Sequence, residues 1–255
     1  SLVCLMQAKP LGTSSMKKNS ANFIPLTPVS FLHRTADVFG HRTALIYEDK
    51  TLTWGALRER CVKMADAFVG LGVAKGDTVA VLAFNTPEMY ESHFSVPMAG
   101  AVLNTINTRL DAQTIAYILD DGNAKIFIVD AELGEVAEAA LVKSTNKPRV
   151  ILINDPHANS KSTINITAPD YESVLSKGSP GFEWIRPENE WSPLSLNYTS
   201  GTTGRPKGVV YHHRGSYLMS MGTVIGWQLP NHPRYLYSVP MFHCNGWCFP
   251  WTITM

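Results

Sequence analysis

The sequence predicts an α/β fold with a mostly parallel sheet flanked by helices. Two observations carry that expectation. Short apolar runs rich in Val and Ile alternate with segments whose apolar residues recur at helical spacing. The 255 residues are 45% apolar and 10% aromatic, enough to bury a substantial core.

The elements follow in order. "TALIYEDKTLTW" reads as two short strands joined at Glu48-Asp49-Lys50, a hairpin. Leu57, Cys61, Met64, Ala65, Phe68 and Leu71 then mark a helix, and Gly70 and Gly72 punctuate its end. "DTVAVLAF" is a buried strand, and Asn85-Thr86-Pro87-Glu88 combines an N-cap with proline at the first turn. A helix near Ala112–Leu119, the strand "AKIFIVD", a helix near Ala131–Lys143 and the strand "RVILIND" continue the alternation. From Pro156 to Pro193 the chain turns polar and proline-punctuated, with only a short "YESVL" turn. It reads as a long connection or a subdomain boundary. A strand at Leu194–Tyr198, another at Gly208–His212 and a helix from Ser216 to Trp227 come next. "RYLYSVP" reads as a further strand. There are no internal repeats.

Net charge is +1, which gives no reason to expect nucleic acid or an anionic membrane as partner. The distribution is more informative. All 21 acidic residues lie between Asp37 and Glu190, while the segment beyond carries Arg205, Lys207, Arg214, Arg234 and four histidines. That segment favours an anionic ligand and offers a metal no carboxylate. The four cysteines, at 4, 61, 244 and 248, have no framework spacing and fit a reduced intracellular compartment. No apolar run approaches the roughly 18–20 residues of a membrane span. The opening "SLVCLMQAKPLGTSSMKKNS" reads as a weak organelle leader or as an upstream remnant before Met16. The sequons at Asn165 and Asn197 read as chance matches.

"YTSGTTGRPKG", Tyr198 to Gly208, places a flexible, donor-rich loop between two strand-like runs. Glycines let the main chain approach a ligand closely, hydroxyls add rotatable donors, and Lys207 adds a point charge. Such a loop suits a triphosphate, although composition alone equally allows an ordinary surface turn. It is not a Walker A loop, because Pro206 precedes Lys207 and a strand follows Gly208. "GLGVAK" at 70–75 fails as a dinucleotide fingerprint, since Lys75 stands at the third glycine.

"LNYTSGTTGRPKG" resembles the signature loop of the AMP-forming adenylating enzymes, the superfamily of acyl-CoA synthetases, adenylation domains and firefly luciferase. "MYESHFSVPMAGAVLNTINTRLDAQTIAYIL", "GVVYHHRGSYL" and "PMFHCNGW" resemble its plant acyl-activating branch, which includes benzoate- and cinnamate-CoA ligase-like enzymes. The similarity runs from about Asn22 to Met255. It implies a two-step reaction: a carboxylate attacks the α-phosphate of Mg-ATP to give acyl-AMP and pyrophosphate, and CoA thiol then displaces AMP. It also implies that Thr199, Ser200, Gly201, Thr202, Thr203, Gly204 and Lys207 wrap the phosphates. His243 would stand beside the acyl carbonyl and the α-phosphate.

Outside its motif, His243 reads as a buried core histidine. His243, Cys244 and Cys248 also invite a zinc site, but no Cys-x-x-Cys occurs, and no metal-binding residue is assigned. Cys244, Trp247 and Cys248 read better as lining an acyl pocket. His212 and His213 read as structural or solvated, and Arg214 as solvated.

Relatives in the resembled family are about twice as long. Their downstream Mg²⁺-binding Glu, ribose-binding Asp, hinge and C-terminal lid domain have no counterpart in this sequence. The expectation is therefore an incomplete N-terminal large domain over residues 21–255, preceded by a leader or disordered segment over 1–20. ATP, Mg²⁺ and CoA are the family's substrates and cofactor, with a small carboxylic acid as partner. Alone, the chain is expected to be inactive and prone to self-association, with Trp247, Phe249 and Trp251 facing water. Two alternatives are a non-catalytic phosphate- or partner-binding product and an adenylating enzyme that feeds a carrier protein.

Overall fold

The structure is a computed structural model that describes residues 17–158, 166–199 and 205–255. The chain enters through α1 (Val29–Phe39) and the hairpin β1 (Thr43–Tyr47) and β2 (Lys50–Thr53), which forms its own two-stranded sheet. α2 (Trp54–Gly70) starts where the Thr53 hydroxyl accepts a hydrogen bond from Ala56 N. β3 (Thr78–Leu82), α3 (Pro87–Met98), β4 (Val102–Thr105), α4 (Ala112–Asp121), β5 (Ala124–Asp130), α5 (Gly134–Lys143) and β6 (Arg149–Ile153) complete the regular alternation. Thr86 caps α3 by accepting from Met89 N, with Pro87 at its first position. Asp111 caps α4 by accepting from two backbone amides.

Six strands form the main sheet in the order β6-β5-β3-β4-β7-β8, where β7 is Pro193–Thr199 and β8 is Lys207–His212. The first five are parallel, and β8 is antiparallel to β7. Side chains alternate between two cores. Val79, Val81, Ile126, Ile128, Ile151 and Ile153 face the core built with α1, α2 and α3. Ala80, Leu82, Phe127, Val129 and Leu152 face the core built with α4 and α5. Burial on both faces explains why these strands read as continuous apolar runs.

The stretch after β6 is a connection rather than a boundary. Its short helix α6 (Tyr171–Leu175) buries Tyr171, Val174 and Leu175 in the first core, together with Trp184. Gly178 lets it press on α2, since a Cβ there would lie 1.8 Å from Lys63 O. Arg60 of α2 bonds both the fully buried Glu91 of α3 and Glu172 of α6, and Tyr171 Oη donates to Glu91 at 3.0 Å. Burial pushes the Glu91 carboxyl up from its ordinary value, against the pull of Arg60.

Two expectations fail. "RYLYSVP" is not a strand: burial alternates at Tyr235, Leu236 and Tyr237, but no strand among the described residues pairs with the segment. The Asn85 side chain takes the role of a ladder instead, donating to Tyr237 O and Val239 O and accepting from Met241 N. Nor do all three aromatics near the end face water. Trp251, in a final short helix (Phe249–Thr254), is fully buried and donates from Nε1 to His93 O at 3.0 Å. Phe249 is buried and stacks on Tyr235. Trp247 alone of the three is exposed, at 51%.

Most of the leader (residues 1–16) and the Asn165 sequon lie outside the described residues. Among the described residues, no helix is long and apolar enough to cross a membrane.

Candidate active site

β7 runs parallel to β4, so Thr105 and Thr199, the last residues of those strands, lie at the carboxyl edge of the sheet. Open α/β sheets bind ligands at this edge. Thr199 and Lys207 face each other on the last rung of the β7–β8 ladder, and both are exposed. The intervening loop thus leaves the sheet and returns to it at a single point. Ser200, Gly201, Thr202, Thr203 and Gly204 lie outside the described residues. Lys207 makes no ion pair among the described residues, and Arg205 is exposed beside it.

His243 is exposed, which overturns the core reading. Its ring centroid lies 6.2 Å from that of Trp247, and its Nε2 is 3.9 Å from Cys244 Sγ. Its backbone neighbours are fastened to the sheet. Thr105 Oγ1 donates to Phe242 O at 2.8 Å, and Ser195 Oγ and Asn197 Nδ2 both donate to Asn245 Oδ1 at 2.8 Å. Asn197 is buried in this network, which places the second sequon out of reach.

The short helical turn Cys244–Trp247 is wound left-handed. Cys244, Asn245, Gly246, Trp247 and Cys248 have φ of 49°, 52°, 58°, 56° and 62°. Left-handed winding costs about 1–2 kcal/mol for each L-residue other than glycine, with Asn the most tolerant. Such strain persists only where tertiary contacts over-determine it. The buried Asn245 supplies those contacts. Sequence reasoning missed Asn245, Ser195, Asn197 and Thr105; the Asn245-Gly246 pair is the signal that could have exposed the turn.

Beside the turn, a cleft of about 340 Å³ is lined by Val210, Tyr211, Met219, Cys244, Trp247 and Cys248, among others. The three residues expected to line an acyl pocket therefore do share one cavity. Burial and then a hydrogen bond to Cys244 push the Tyr211 hydroxyl up to about 12, and burial raises the Cys248 thiol to about 12. Both groups stay protonated at neutral pH. His212 caps α7 (His213–Gly226) by accepting from Gly215 N. His213 is buried against Thr27 Oγ1 at 2.8 Å, so both histidines are structural. Arg214 is not simply solvated, because Glu190 holds it at 2.6 Å.

A mostly parallel sheet with a fastened histidine at its carboxyl edge is an open α/β architecture, and the family is shown by similarity to known proteins. The family model described as AMP-binding enzyme matches residues 32–255, and the chain belongs to that family. It is 45% identical to a peroxisomal trans-cinnamate:CoA ligase of Petunia hybrida over 93% of this chain and 44% of that protein. It is also 45% identical to a peroxisomal butyrate–CoA ligase of Arabidopsis thaliana, over 91% of this chain and 42% of the relative. The chain spans less than half the length of these curated relatives. Among solved structures it is similar in fold to an anthranilate CoA ligase in complex with anthranoyl-AMP, with a TM-score of 0.74 at 24% identity, covering 93% of this chain and 45% of the other. A long-chain-fatty-acid-CoA ligase from Archaeoglobus fulgidus gives 0.78 at 22% identity, covering 95% and 48%.

Proposed function

We propose that this chain supplies the phosphate-handling half of an acid–CoA ligase. That enzyme activates a carboxylic acid as its adenylate with Mg-ATP and then transfers the acyl group to CoA. One observation carries the reading: Thr199 and Lys207 close the donor-rich loop on a single rung, at the same sheet edge to which Thr105 fastens the His243 turn. The loop hydroxyls, amides and Lys207 would hold the β- and γ-phosphates. His243 would face the carboxylate as it attacks the α-phosphate. Neutralising charge and fixing an in-line approach are the main contributions an enzyme makes at phosphorus.

The neighbouring cleft, apolar apart from Tyr211, His212, Ser216 and the Cys244 and Cys248 thiols, would take the acyl chain or ring. Magnesium bound with ATP would neutralise phosphate charge, but residues after Glu190 offer it no carboxylate, so this stretch does not fit as its site. The relatives named peroxisomal support a peroxisomal setting, with a cytoplasmic one as the alternative.

The test is acid-dependent ATP–pyrophosphate exchange with acetate, hexanoate, benzoate and cinnamate. It is run on the chain alone and on the chain joined to the downstream half of the petunia ligase. Exchange is expected only from the joined protein. Lys207→Ala should lower its kcat/KM by an amount equivalent to about 1.5–3 kcal/mol, the scale of a charge-assisted hydrogen bond. A joined protein that folds without exchange, or a Lys207→Ala variant with unchanged kinetics, would sink the reading.

A further inference from the structure

We infer that Asn245 is a positioning residue that makes β7 and the His243 turn a single mechanical unit. It thereby fixes the imidazole relative to Thr199, the last residue of β7. The link to catalysis rests on the ligase reading above, whereas the mechanical coupling stands on geometry alone.

Asn245 is fully buried, and its one carbonyl oxygen receives both Ser195 Oγ and Asn197 Nδ2 from β7. Asn197 lies two residues before Thr199, where the loop leaves the sheet. On the other side of His243, Phe242 O is held by Thr105 at the end of β4. His243 is therefore suspended between two fixed points, residues 242 and 245, while its own ring is exposed. The turn closes through Gly246 N to His243 O at 2.9 Å and Cys248 N to Asn245 O at 3.1 Å.

Nothing intrinsic to Cys244, Trp247 or Cys248 favours the left-handed winding that all three adopt. Asn tolerates that backbone and also supplies the acceptor that ties it down, so one side chain meets both demands. Without the tie, the turn is free to rewind, and rewinding swings residues 243 and 247 and shifts Cys248 at the margin of the first core, while the second core holds no residue of the turn.

The experiment separates the tie from backbone strain and from simple stability. Asn245→Gly keeps easy access to the left-handed region but removes the amide. The Trp247 indole and His243 imidazole resonances are recorded by NMR in the 255-residue protein, together with the urea midpoint. Asn245→Gly is expected to split or broaden both resonances while methyl signals of the second core, such as Leu82, Val129 and Leu152, stay in place. Sharp, unshifted resonances would overturn the inference.

If Asn245→Gly does not fold, Ser195→Ala decides, since it removes one of the two donors and leaves Asn197 bonded. A displaced Trp247 indole signal supports the tie, and an unchanged spectrum overturns it. In the joined ligase, Asn245→Gly should lower kcat for exchange about tenfold or more with KM for ATP within about threefold, as misplacement rather than lost binding predicts. A joined wild-type protein without exchange would remove the ligase reading, yet the NMR result would still decide the coupling.

Discussion

Val81 on β3 and Val210 on β8 are the same residue type in one sheet, three strands apart, under opposite conditions. Val81 is fully buried, whereas Val210 is 55% exposed. The contrast extends to their surroundings. β3 and β5 have cores on both faces, and all five residues of β3 are buried. Around β8, by contrast, Val209, Leu218, Met219, Met221, Ile225 and Trp227 are exposed large apolar residues. Apolar burial thus concentrates at the middle of the sheet, and the open edge carries the loop, the cleft and the strained turn. The polar networks divide in the same way. Arg60, Glu91 and Tyr171 tie helix to helix in the closed half. Thr105, Ser195, Asn197 and Asn245 tie the edge strand to the site. The first network serves the fold, and the second holds a surface that is otherwise poorly packed.

The largest test of this division is Glu91→Ala. Removing the carboxylate leaves Arg60 and Tyr171 without their buried acceptor and opens space between α2, α3 and α6. Removing one partner of a buried ion pair costs about 3–5 kcal/mol. A urea midpoint lowered by that amount is expected. A loss under about 1 kcal/mol would mean that the closed half does not depend on its polar ties.

The closed half was also the more legible in the sequence, for the same physical reason. Strands buried on both faces need unbroken apolar runs, and β3, β5 and β6 have them. β4 was missed because "VLNT" is short and ends in polar residues that serve the network at the edge. α1 was missed because Pro28 gives it no side-chain cap, although Val29, Phe31, Leu32 and Ala36 share one face with His33, Arg34 and Asp37 opposite. The alternation in "RYLYSVP" is real, but pairing depends on a neighbour, and the Asn85 side chain stands where a strand was expected. The loop and His243 were singled out through their motif, and Ser200 to Gly204 lie outside the described residues. Asn245 was not, since its partners Ser195 and Asn197 are about fifty residues away and only the fold brings them together.

Acid sharpens the comparison, because each region holds a buried histidine. His93 lies in α3, and burial lowers its pKa from 6.5 to about 4. His213 opens α7 next to β8, and burial followed by the neighbouring His212 lowers it to about 4 as well. In each case the folded state keeps the neutral ring while the unfolded chain takes a proton below pH 6.5. Their contribution to stability is therefore complete above pH 6.5 and is lost as pH falls towards 4. The loss is on the order of 2 kcal/mol per histidine by pH 5. Asp130, raised by burial to about 6, works in the opposite sense over part of that range. Urea midpoints at pH 7.5 and pH 5 should fall accordingly, and His213→Gln and His93→Gln should each flatten the slope. A flattened slope with His93→Gln but not with His213→Gln would show that α7 is loosely seated beneath its exposed face.

The smallest effect makes the sharpest pair: Val81→Thr against Val210→Thr. Threonine keeps the shape and the β-branching of valine, so strand propensity and volume barely change. Only a methyl is exchanged for a hydroxyl. At position 81 the hydroxyl enters an apolar core between β3 and the helices on that face, and an unpartnered buried hydroxyl costs about 1–3 kcal/mol. At position 210 the hydroxyl faces water and the mouth of the cleft, where a surface change stays within about 0.5 kcal/mol. Thermal or urea melts of the two variants should therefore separate clearly, with Val210→Thr overlying the parent. Equal losses would mean that the β8 face is covered in solution and that the open edge is not open. The cleft that Val210 borders would then be closed to any acyl group, and the division between a stabilising centre and a chemical edge would fall with it.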